Sequence, residues 1–285
     1  MPITLLKIRF VDTVEIESSI GDSGGADGGV SDQPAPSLPS ETQPNAVNAP
    51  QAQSVGRADI AQPNTGAAAS SSGAFDGCVP IDRDYPESLP TERRAHALEV
   101  LGDEVAQCQR CPKLAEARTK TVFGIGNPQP RVVFLGEAPG ADEDRSGLPF
   151  VGAAGQLLDK ILEASSFARE DVYIMNTLKC RPPGNRNPNE EEIDRCRGYW
   201  QRQLELLQPE YIVCLGAVSV RTLLQIDSPI GRLRGRFHQY RGSKVVATYH
   251  PAYLLRQASA KRLVWDDMKM LMADMGIPVP PRKNS

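Results

Sequence analysis

Residues 131–140 have the sequence RVVFLGEAPG. The first six, Arg131–Gly136, form a short apolar run bounded by glycine, which is typical of a strand buried on both faces. The next four form a loop whose glycine and proline allow backbone N–H groups to approach a ligand closely. In an open α/β sheet, ligands bind at the carboxyl ends of the strands, which is where this loop begins.

The same pattern recurs along the chain and alternates with helical periodicity. Further strands are predicted over residues 171–176, 211–216 and 245–248, and helices over residues 155–167, 189–207, 217–224 and 260–275, with another helix from Thr91 to the turn at Cys108. This alternation predicts an α/β fold, a three-layer α/β/α arrangement with a central four-stranded, mainly parallel sheet. The loops after the first, second and fourth strands should then meet at one edge of the sheet.

The first third of the chain has a different composition. Residues 18–90 are rich in Gly, Pro, Ala, Ser, Gln and Asn and contain few large apolar side chains. Such a segment cannot bury enough surface to offset the entropy of ordering. We therefore predict a low-complexity, disordered N-terminal tail or linker over residues 1–90 and one folded domain over residues 91–285.

Charge divides along the same boundary. Residues 1–90 hold 4 Lys and Arg against 12 Asp and Glu, so the net charge of −3 for the whole chain conceals a mildly basic remainder. Between Asp227 and Asp266 there is no acidic residue, while that window contains eight Lys and Arg. A stretch of one sign suits a polyanion such as DNA, and an ordinary solvated face remains the alternative.

No run of 18 apolar residues and no signal-peptide pattern occurs in the sequence, so we expect a cytoplasmic protein without a membrane span. In that compartment, cysteines at regular spacing are more often metal ligands than disulfides. The sequence has two such pairs, Cys108 with Cys111 and Cys180 with Cys196. By count alone, four thiolates fit tetrahedral zinc and a 4Fe–4S cluster equally well. Cys214 is predicted to be core.

Polar and aromatic residues follow the predicted strands. The carboxylates of Glu137, Asp142, Glu143 and Asp144 crowd the first loop, where they could orient water, although a plain surface turn would also explain them. Asn176 ends the second strand, and its amide could pair with the edge of a pyrimidine. Phe150 before a helix and His250 after the fourth strand complete the candidate set. Each has a structural alternative, and their expected position at one sheet edge is what favours a site.

Together these motifs resemble the family-4, or iron–sulfur, uracil-DNA glycosylases over residues 95–275. The resemblance depends on the Cys-x2-Cys pair, on Gly-Glu-Ala-Pro-Gly from Gly136, on Gly-Leu-Pro-Phe-Val-Gly from Gly147, on Asn-Thr-Leu-Lys-Cys-Arg-Pro-Pro from Asn176, and on His-Pro-Ala-Tyr-Leu-Leu-Arg from His250. It implies a uracil-DNA glycosylase in base-excision repair, a hydrolase that releases uracil and leaves an abasic site. It also implies a structural 4Fe–4S cluster on Cys108, Cys111, Cys180 and Cys196.

The resemblance assigns roles to single residues. Phe150 would stack on the flipped uracil, Asn176 would read its edge, and His250 with the backbone at Glu137 and Ala138 would stabilise the leaving uracil anion. The carboxylate that orients water would be Glu137 or Glu143, because Ala138 stands where a better-known branch of the superfamily has aspartate. The predicted DNA contacts are the wedge residues Leu254 and Leu255 and the phosphate-binding arginines Arg232, Arg234, Arg236 and Arg256.

Two other hypotheses are compatible with the sequence. A non-catalytic DNA-binding or polymerase-associated domain would share the fold, but it has no need for the complete set Glu137, Phe150, Asn176 and His250. A zinc-bound nucleotide-binding protein would differ in its metal. We expect a monomer, associated with the nucleoid, that acts on uracil-containing DNA, single- or double-stranded, with the N-terminal tail available for a replication or repair partner.

Overall fold

The computed structural model describes residues 84–280. The predicted tail over residues 1–90 therefore lies outside the described residues, except for its last part. Residues 84–90 form neither helix nor strand, yet they pack on the domain. Tyr85 Oη lies 2.9 Å from Ser243 Oγ, and Gln208 Nε2 donates to Pro86 O at 2.7 Å. Cys78 also falls outside the described range.

One mixed sheet of six strands forms the centre of the described domain. The strands are β1 (Ile125–Gly126), β2 (Val132–Gly136), β3 (Tyr173–Asn176), β4 (Tyr211–Leu215), β5 (Phe237–Tyr240) and β6 (Ser243–Thr248). Their spatial order is β1-β3-β2-β4-β6-β5. The four central strands β3, β2, β4 and β6 are parallel, and the edge strands β1 and β5 are antiparallel to their neighbours.

Nine α-helices surround or connect the strands within residues 84–280. They are α1 (Thr91–Ala106), α2 (Pro112–Ala117), α3 (Ala141–Ser146), α4 (Ala153–Ala164), α5 (Glu190–Leu207), α6 (Ala217–Leu224), α7 (Ile230–Leu233), α8 (Pro251–Arg256) and α9 (Lys261–Asp274). Short 3-10 turns occupy Pro183–Asn185 and Ala258–Ala260. None of the helices in this part of the chain is long and apolar enough to cross a membrane.

Each face of the sheet is covered by helices, because side chains alternate between faces along every strand. On β2, Val133 and Leu135 face a core shared with α1, α5 and α6, whereas Val132 and Phe134 face a second core shared with α4, α8 and α9. All five residues of β2 are buried. The continuous apolar run therefore reflects burial on both sides, as expected for a parallel sheet. The predicted three-layer α/β/α fold with a mainly parallel central sheet is confirmed. The four predicted strands are the central ones, and the edge strands β1 and β5, which were not predicted, bring the sheet to six.

Strand order explains where a site can form. The connection after β2 leads to β3 on one side of the sheet, whereas the connection after its other neighbour, β4, leads to β5 and β6 on the opposite side. Such a switch point opens a crevice at the carboxyl ends of the strands. The register places Gly136 of β2 opposite Asn176 of β3. The residues that follow these strands therefore face the crevice.

Candidate active site

A pocket of about 400 Å³ lies at the carboxyl edge of the sheet. It is lined by residues from the ends of β2, β3 and β6 and from the loops that follow them. The structure brings together six residues that the sequence singles out, namely Glu137, Glu143, Phe150, Asn176, His250 and Arg256. Ala138 also lines this pocket.

Gly136 permits the close packing of this pocket. A Cβ atom at this position would lie 2.2 Å from Asn176 Oδ1 and 2.7 Å from Phe150 Cζ, both far inside ordinary contact distance. The absence of a side chain therefore allows the amide and the aromatic ring to meet against the end of β2.

Asn176 carries a buried acceptor without a protein partner. The residue is 1% exposed, and its Oδ1 accepts no hydrogen bond from any described residue. Its backbone is held firmly, because the carbonyl oxygen accepts a hydrogen bond from Lys179 Nζ at 2.8 Å. An unpaired buried acceptor is unfavourable by about 1–3 kcal/mol, so it indicates a place where a ligand donor belongs.

Phe150 adopts a backbone conformation that an aromatic residue rarely takes, with φ of 53°. The surroundings enforce it: Arg169 Nη2 donates to the carbonyls of Pro149 at 2.6 Å and of Phe150 at 3.0 Å. A Cβ atom at Gly155 would lie 1.9 Å from the Phe150 carbonyl oxygen, so only glycine fits there. Strain of this kind persists where neighbouring groups over-determine it, often at functional sites. Here it directs the Phe150 ring into the pocket beside His250, with ring centroids 5.5 Å apart.

The hydrogen bonding of His250 defines its tautomer. Its Nδ1 accepts from the Ala252 N–H at 3.1 Å, at the start of α8. The neutral ring therefore carries its proton on Nε2, which is left to donate. Burial lowers the pKa of His250 to about 4, although Glu143 nearby acts in the opposite direction. A neutral imidazole with a free donor is the state present at physiological pH.

The carboxylates of the first loop have separate environments. Glu143 Oε2 accepts from Gly140 N at 3.0 Å, and Oε1 accepts from Val151 N at 2.9 Å and Gly152 N at 3.0 Å. Both oxygens of Glu143 therefore bind the backbone on either side of the Phe150 loop.

Glu137 differs, because its carboxylate makes no hydrogen bond or ion pair within residues 84–280, and burial raises its pKa. The two aspartates of the loop point elsewhere. Asp144 is buried and accepts from Thr119 N, and Asp142 pairs with Arg145 at the surface. Among the four carboxylates, Glu137 is therefore the one that faces the pocket with free oxygens.

A second pocket contains the four paired cysteines. Cys108 and Cys111 lie at the turn between α1 and α2, Cys180 follows β3, and Cys196 lies in α5, and all four line the same small cavity. Leu114 and Leu178 supply apolar walls, and Arg118 Nη1 lies 3.2 Å from Cys180 Sγ. Within the described range, no three His, Cys, Asp or Glu side chains already converge on one metal-binding point.

The donor chemistry of this cavity suits a metal group. Burial raises the pKa of Cys111, Cys180 and Cys196, the last to about 12, so these thiols are neutral unless a cation stabilises their thiolates. A positive metal ion or cluster core would stabilise the four thiolates, and Arg118 beside Cys180 would offset the negative charge that remains. Lys179 lies between this cavity and the first pocket, and burial lowers its pKa to about 7. Cys214 lies apart in the core of the sheet, as predicted.

Comparisons with known proteins agree with this geometry. Residues 123–269 match the Uracil DNA glycosylase superfamily. The type-4 uracil-DNA glycosylase of Archaeoglobus fulgidus is 42% identical over 176 residues, which cover 59% of this chain and 88% of that protein. The chain belongs to the type-4 uracil-DNA glycosylases. Relatives of the same name in Thermotoga maritima and Saccharolobus solfataricus are 42% and 41% identical over 180 and 182 residues, covering 62% and 60% of this chain and 93% and 83% of theirs.

The structure separates the two leucines predicted as a wedge in this type-4 uracil-DNA glycosylase. Leu254 is 1% exposed and packs in the core between α8 and the sheet, so the prediction that it inserts into DNA is wrong. Leu255 is 52% exposed and stays available. Successive residues of a helix point about 100° apart, so the two side chains cannot share one direction.

The predicted arginines also differ in their partners. Arg234 binds the buried carboxylate of Asp267 through Nε at 3.1 Å and Nη2 at 2.9 Å, so its guanidinium is already engaged. Arg232, Arg236 and Arg256 are exposed and form no ion pair within the described residues. Contact between these three arginines and DNA phosphates stays a prediction.

Several residues at the pocket carry no signal in the motifs described above. Tyr253 and Arg186 line the first pocket, and Arg169 fixes the Phe150 loop. Arg186 forms an ion pair with Glu192. Glu192 in turn completes the capping box at the start of α5 and lines the cysteine cavity. Burial of Lys179 could have been predicted from the motif that begins at Asn176, because this lysine stands between an apolar residue and a cysteine.

Proposed function

We propose that this protein hydrolyses the N-glycosidic bond of deoxyuridine in DNA, releasing uracil and leaving an abasic site, as a base-excision repair enzyme. The observation that supports this most is the buried, unpartnered Oδ1 of Asn176 in a pocket shared with Phe150 and His250. Family membership and the relatives' names agree with it.

Base recognition follows from the chemistry of Asn176. Its acceptor suits the N3–H of uracil, whereas cytosine presents an acceptor at N3 and would leave two acceptors facing each other. A site built to hydrogen-bond one edge rejects an analogue with the wrong pattern strongly, because buried groups are then unpaired. Phe150, 5% exposed, provides an aromatic face against which the uracil ring can stack.

Stabilisation of the leaving group falls to His250 and the first loop. As the bond from C1′ to N1 breaks, the electron pair passes to uracil and negative charge develops at N1 and O2. The Nε2–H of neutral His250 can donate to O2, and the Ala138 N–H, which makes no hydrogen bond within residues 84–280, is a second donor. One well-placed donor of this kind contributes about 2.7–4 kcal/mol.

Glu137 is the carboxylate that we assign to the water. Its oxygens are free, whereas those of Glu143 are occupied by backbone N–H groups. An ionised Glu137 orients a water molecule toward C1′ and accepts its proton as the C1′–O bond forms, and its charge stabilises the cationic sugar. Glu143 then acts as a positioning residue that holds the loop of Phe150.

The target base must leave the duplex to reach a pocket of this depth. Exposed Arg256 lies on the pocket rim, and Arg232 and Arg236 lie in the basic segment before β5. We assign these arginines to the phosphates on either side of the extruded nucleotide. We propose that the protein is located at the nucleoid in the cytoplasm, where it would meet a DNA substrate.

We infer that the four cysteines hold a 4Fe–4S cluster. When bound, the cluster would supply structural cross-linking among the α1–α2 turn, the segment after β3 and α5. Its test is chemical: anaerobically purified protein should contain about four iron and four sulfide ions per chain. Zinc without sulfide would overturn the assignment.

Single-turnover cleavage of a labelled duplex with one U·G pair, beside T·G and C·G duplexes, tests the proposed function. Alkali-sensitive cleavage at uracil alone is the expected result, and binding without cleavage by protein with an intact metal site would refute it. His250→Ala should lower the rate by roughly 10²–10³-fold. His96→Ala is a matched control, because His96 is 77% exposed on α1 and is not among the residues that line the pocket. Equal rates for both variants would remove His250 from the mechanism.

A further inference from the structure

Two tyrosines and an arginine form a stack beside the pocket that the proposed chemistry does not use. The rings of Tyr249 and Tyr253 lie with centroids 5.1 Å apart and planes inclined by 27°. The guanidinium carbon of Arg234 lies 5.9 Å from the centroid of the Tyr249 ring. Tyr253 lines the pocket and is 40% exposed, so it forms the open end of the stack.

The closed end of the stack is fixed in the protein interior. Asp267 is fully buried and accepts two hydrogen bonds from Arg234, one from Thr248 Oγ1 at 2.6 Å and one from Gly235 N at 3.1 Å. A carboxylate with four donors has a defined position, and so does the guanidinium that binds it in bidentate fashion. The position of Arg234 in turn constrains Tyr249, and Tyr249 covers one side of the Tyr253 ring.

Tyr253 occupies a different depth from Phe150. Both residues line the same pocket, but Phe150 is 5% exposed and Tyr253 is 40% exposed. A base that stacks on Phe150 is fully inside the pocket, whereas a base on Tyr253 remains at its rim. Arg256 lies three residues along α8, is exposed and lines the same rim. An exposed aromatic ring next to a free cation is the combination that tracks a nucleic-acid strand.

We propose that Tyr253 is a stacking platform for the base adjacent to the extruded nucleotide, and that Tyr249 and Arg234 position it. This inference rests on the proposed function, since it presumes a DNA substrate. In this arrangement Arg234 acts by positioning Tyr249 and does not contact a phosphate directly. Base–aromatic stacking accepts any base, so the platform should contribute affinity without sequence preference.

The test measures stacking separately from cleavage. The probe is a duplex with a non-cleavable abasic-site analogue and the fluorescent base 2-aminopurine next to it, on one side or on the other. Wild-type protein and Tyr253→Phe, which keeps the ring, should quench the probe on one side. Tyr253→Leu, which keeps bulk but removes the aromatic face, should lose that quenching and bind about 5- to 150-fold more weakly. Equal quenching and affinity in Tyr253→Leu would overturn the proposal.

A double-mutant cycle tests the positioning part. Tyr249→Leu should weaken binding less than Tyr253→Leu and should add little in the Tyr253→Leu background, because both act through one ring. Additive effects would refute the positioning role. Failure of the proposed function would give a different result from failure of the stacking proposal, because wild-type protein would then leave a uracil-containing duplex uncleaved. Cleavage by wild type with probe emission insensitive to Tyr253 would refute the platform alone.

Discussion

Replacement of Gly136 by alanine should impair catalysis through two neighbours at once. The new Cβ would lie 2.2 Å from Asn176 Oδ1 and 2.7 Å from Phe150 Cζ, whereas ordinary contact begins near 3.4 Å. The amide oxygen must therefore retreat by about 1.2 Å and the ring by about 0.7 Å. The backbone of Gly136 is not in the left-handed region, so the effect would come from the side chain alone.

The expected loss follows from that displacement. A misplacement of about 1 Å in a positioning group lowers a rate by roughly 10²-fold. Overpacking should also destabilise the fold by about 1–3 kcal/mol, which is measured separately by urea unfolding. The assay is single-turnover cleavage of the U·G duplex under conditions where unfolding data show the variant to be folded.

Gly102→Ala is the matched control for Gly136→Ala. Gly102 lies in α1, and its added Cβ would meet Phe123 at 3.6 Å, an ordinary contact. This variant should cleave at the wild-type rate. A folded Gly136→Ala protein that also cleaves at the wild-type rate would refute the argument that Asn176 and Phe150 need this close approach.

Three further outcomes are expected. In Glu137→Gln the residual single-turnover rate should stay level as pH falls through 6.5, because burial lowers the pKa of His250 to about 4. In the wild type, an additional acid-side fall should report the raised pKa of Glu137, and a break near 6.5 in both proteins would contradict this assignment. Glu143→Gln should reduce the free energy of unfolding, measured in urea, by about 1.5–3 kcal/mol for each charge-assisted hydrogen bond lost. It should also slow cleavage, because the Phe150 loop would be held less firmly. Unchanged stability would argue against this anchoring role of Glu143. Cys196→Ala should lower both bound iron and the unfolding midpoint, whereas Cys214→Ala should keep its iron, and equal iron contents would show that Cys196 is no ligand.

The central sheet could be predicted from the sequence because its strands are buried on both faces. Runs such as Val132–Gly136 and Tyr211–Leu215 are apolar throughout, as expected for parallel strands covered on both sides by helices. The edge strands lack this signal. β1 has two residues, and β5, Phe237–Tyr240, alternates between buried and exposed positions with a histidine and a glutamine in its middle. β1 forms by pairing with β3, which is far along the chain, whereas β5 pairs with β6 across the tight turn at Arg241 and Gly242.

The sequence predicts which residues meet at the candidate site, but it predicts less well which partner each side chain binds. Strand ends located Glu137, Asn176 and His250, because parallel strands end at one edge. The partners of single side chains depend on folding over long distances, as with Arg234 and Asp267, which are 33 residues apart. The division between Leu254 and Leu255 was accessible in principle, since a helix that begins at Pro251 must turn one of them inward.

Lys179 has a consequence for anyone who would redesign this pocket. Its ammonium group donates to the carbonyl of Asn176, and the next residue along the chain is Cys180. Asn176, which we propose reads the base, and Cys180, which lines the cysteine cavity, thus belong to one segment of five residues, so a change at one end is expected to disturb the other. Changes of base selectivity should therefore be sought first in the Phe150 loop, which belongs to a separate segment of the chain and contributes no described residue to the lining of the cysteine cavity.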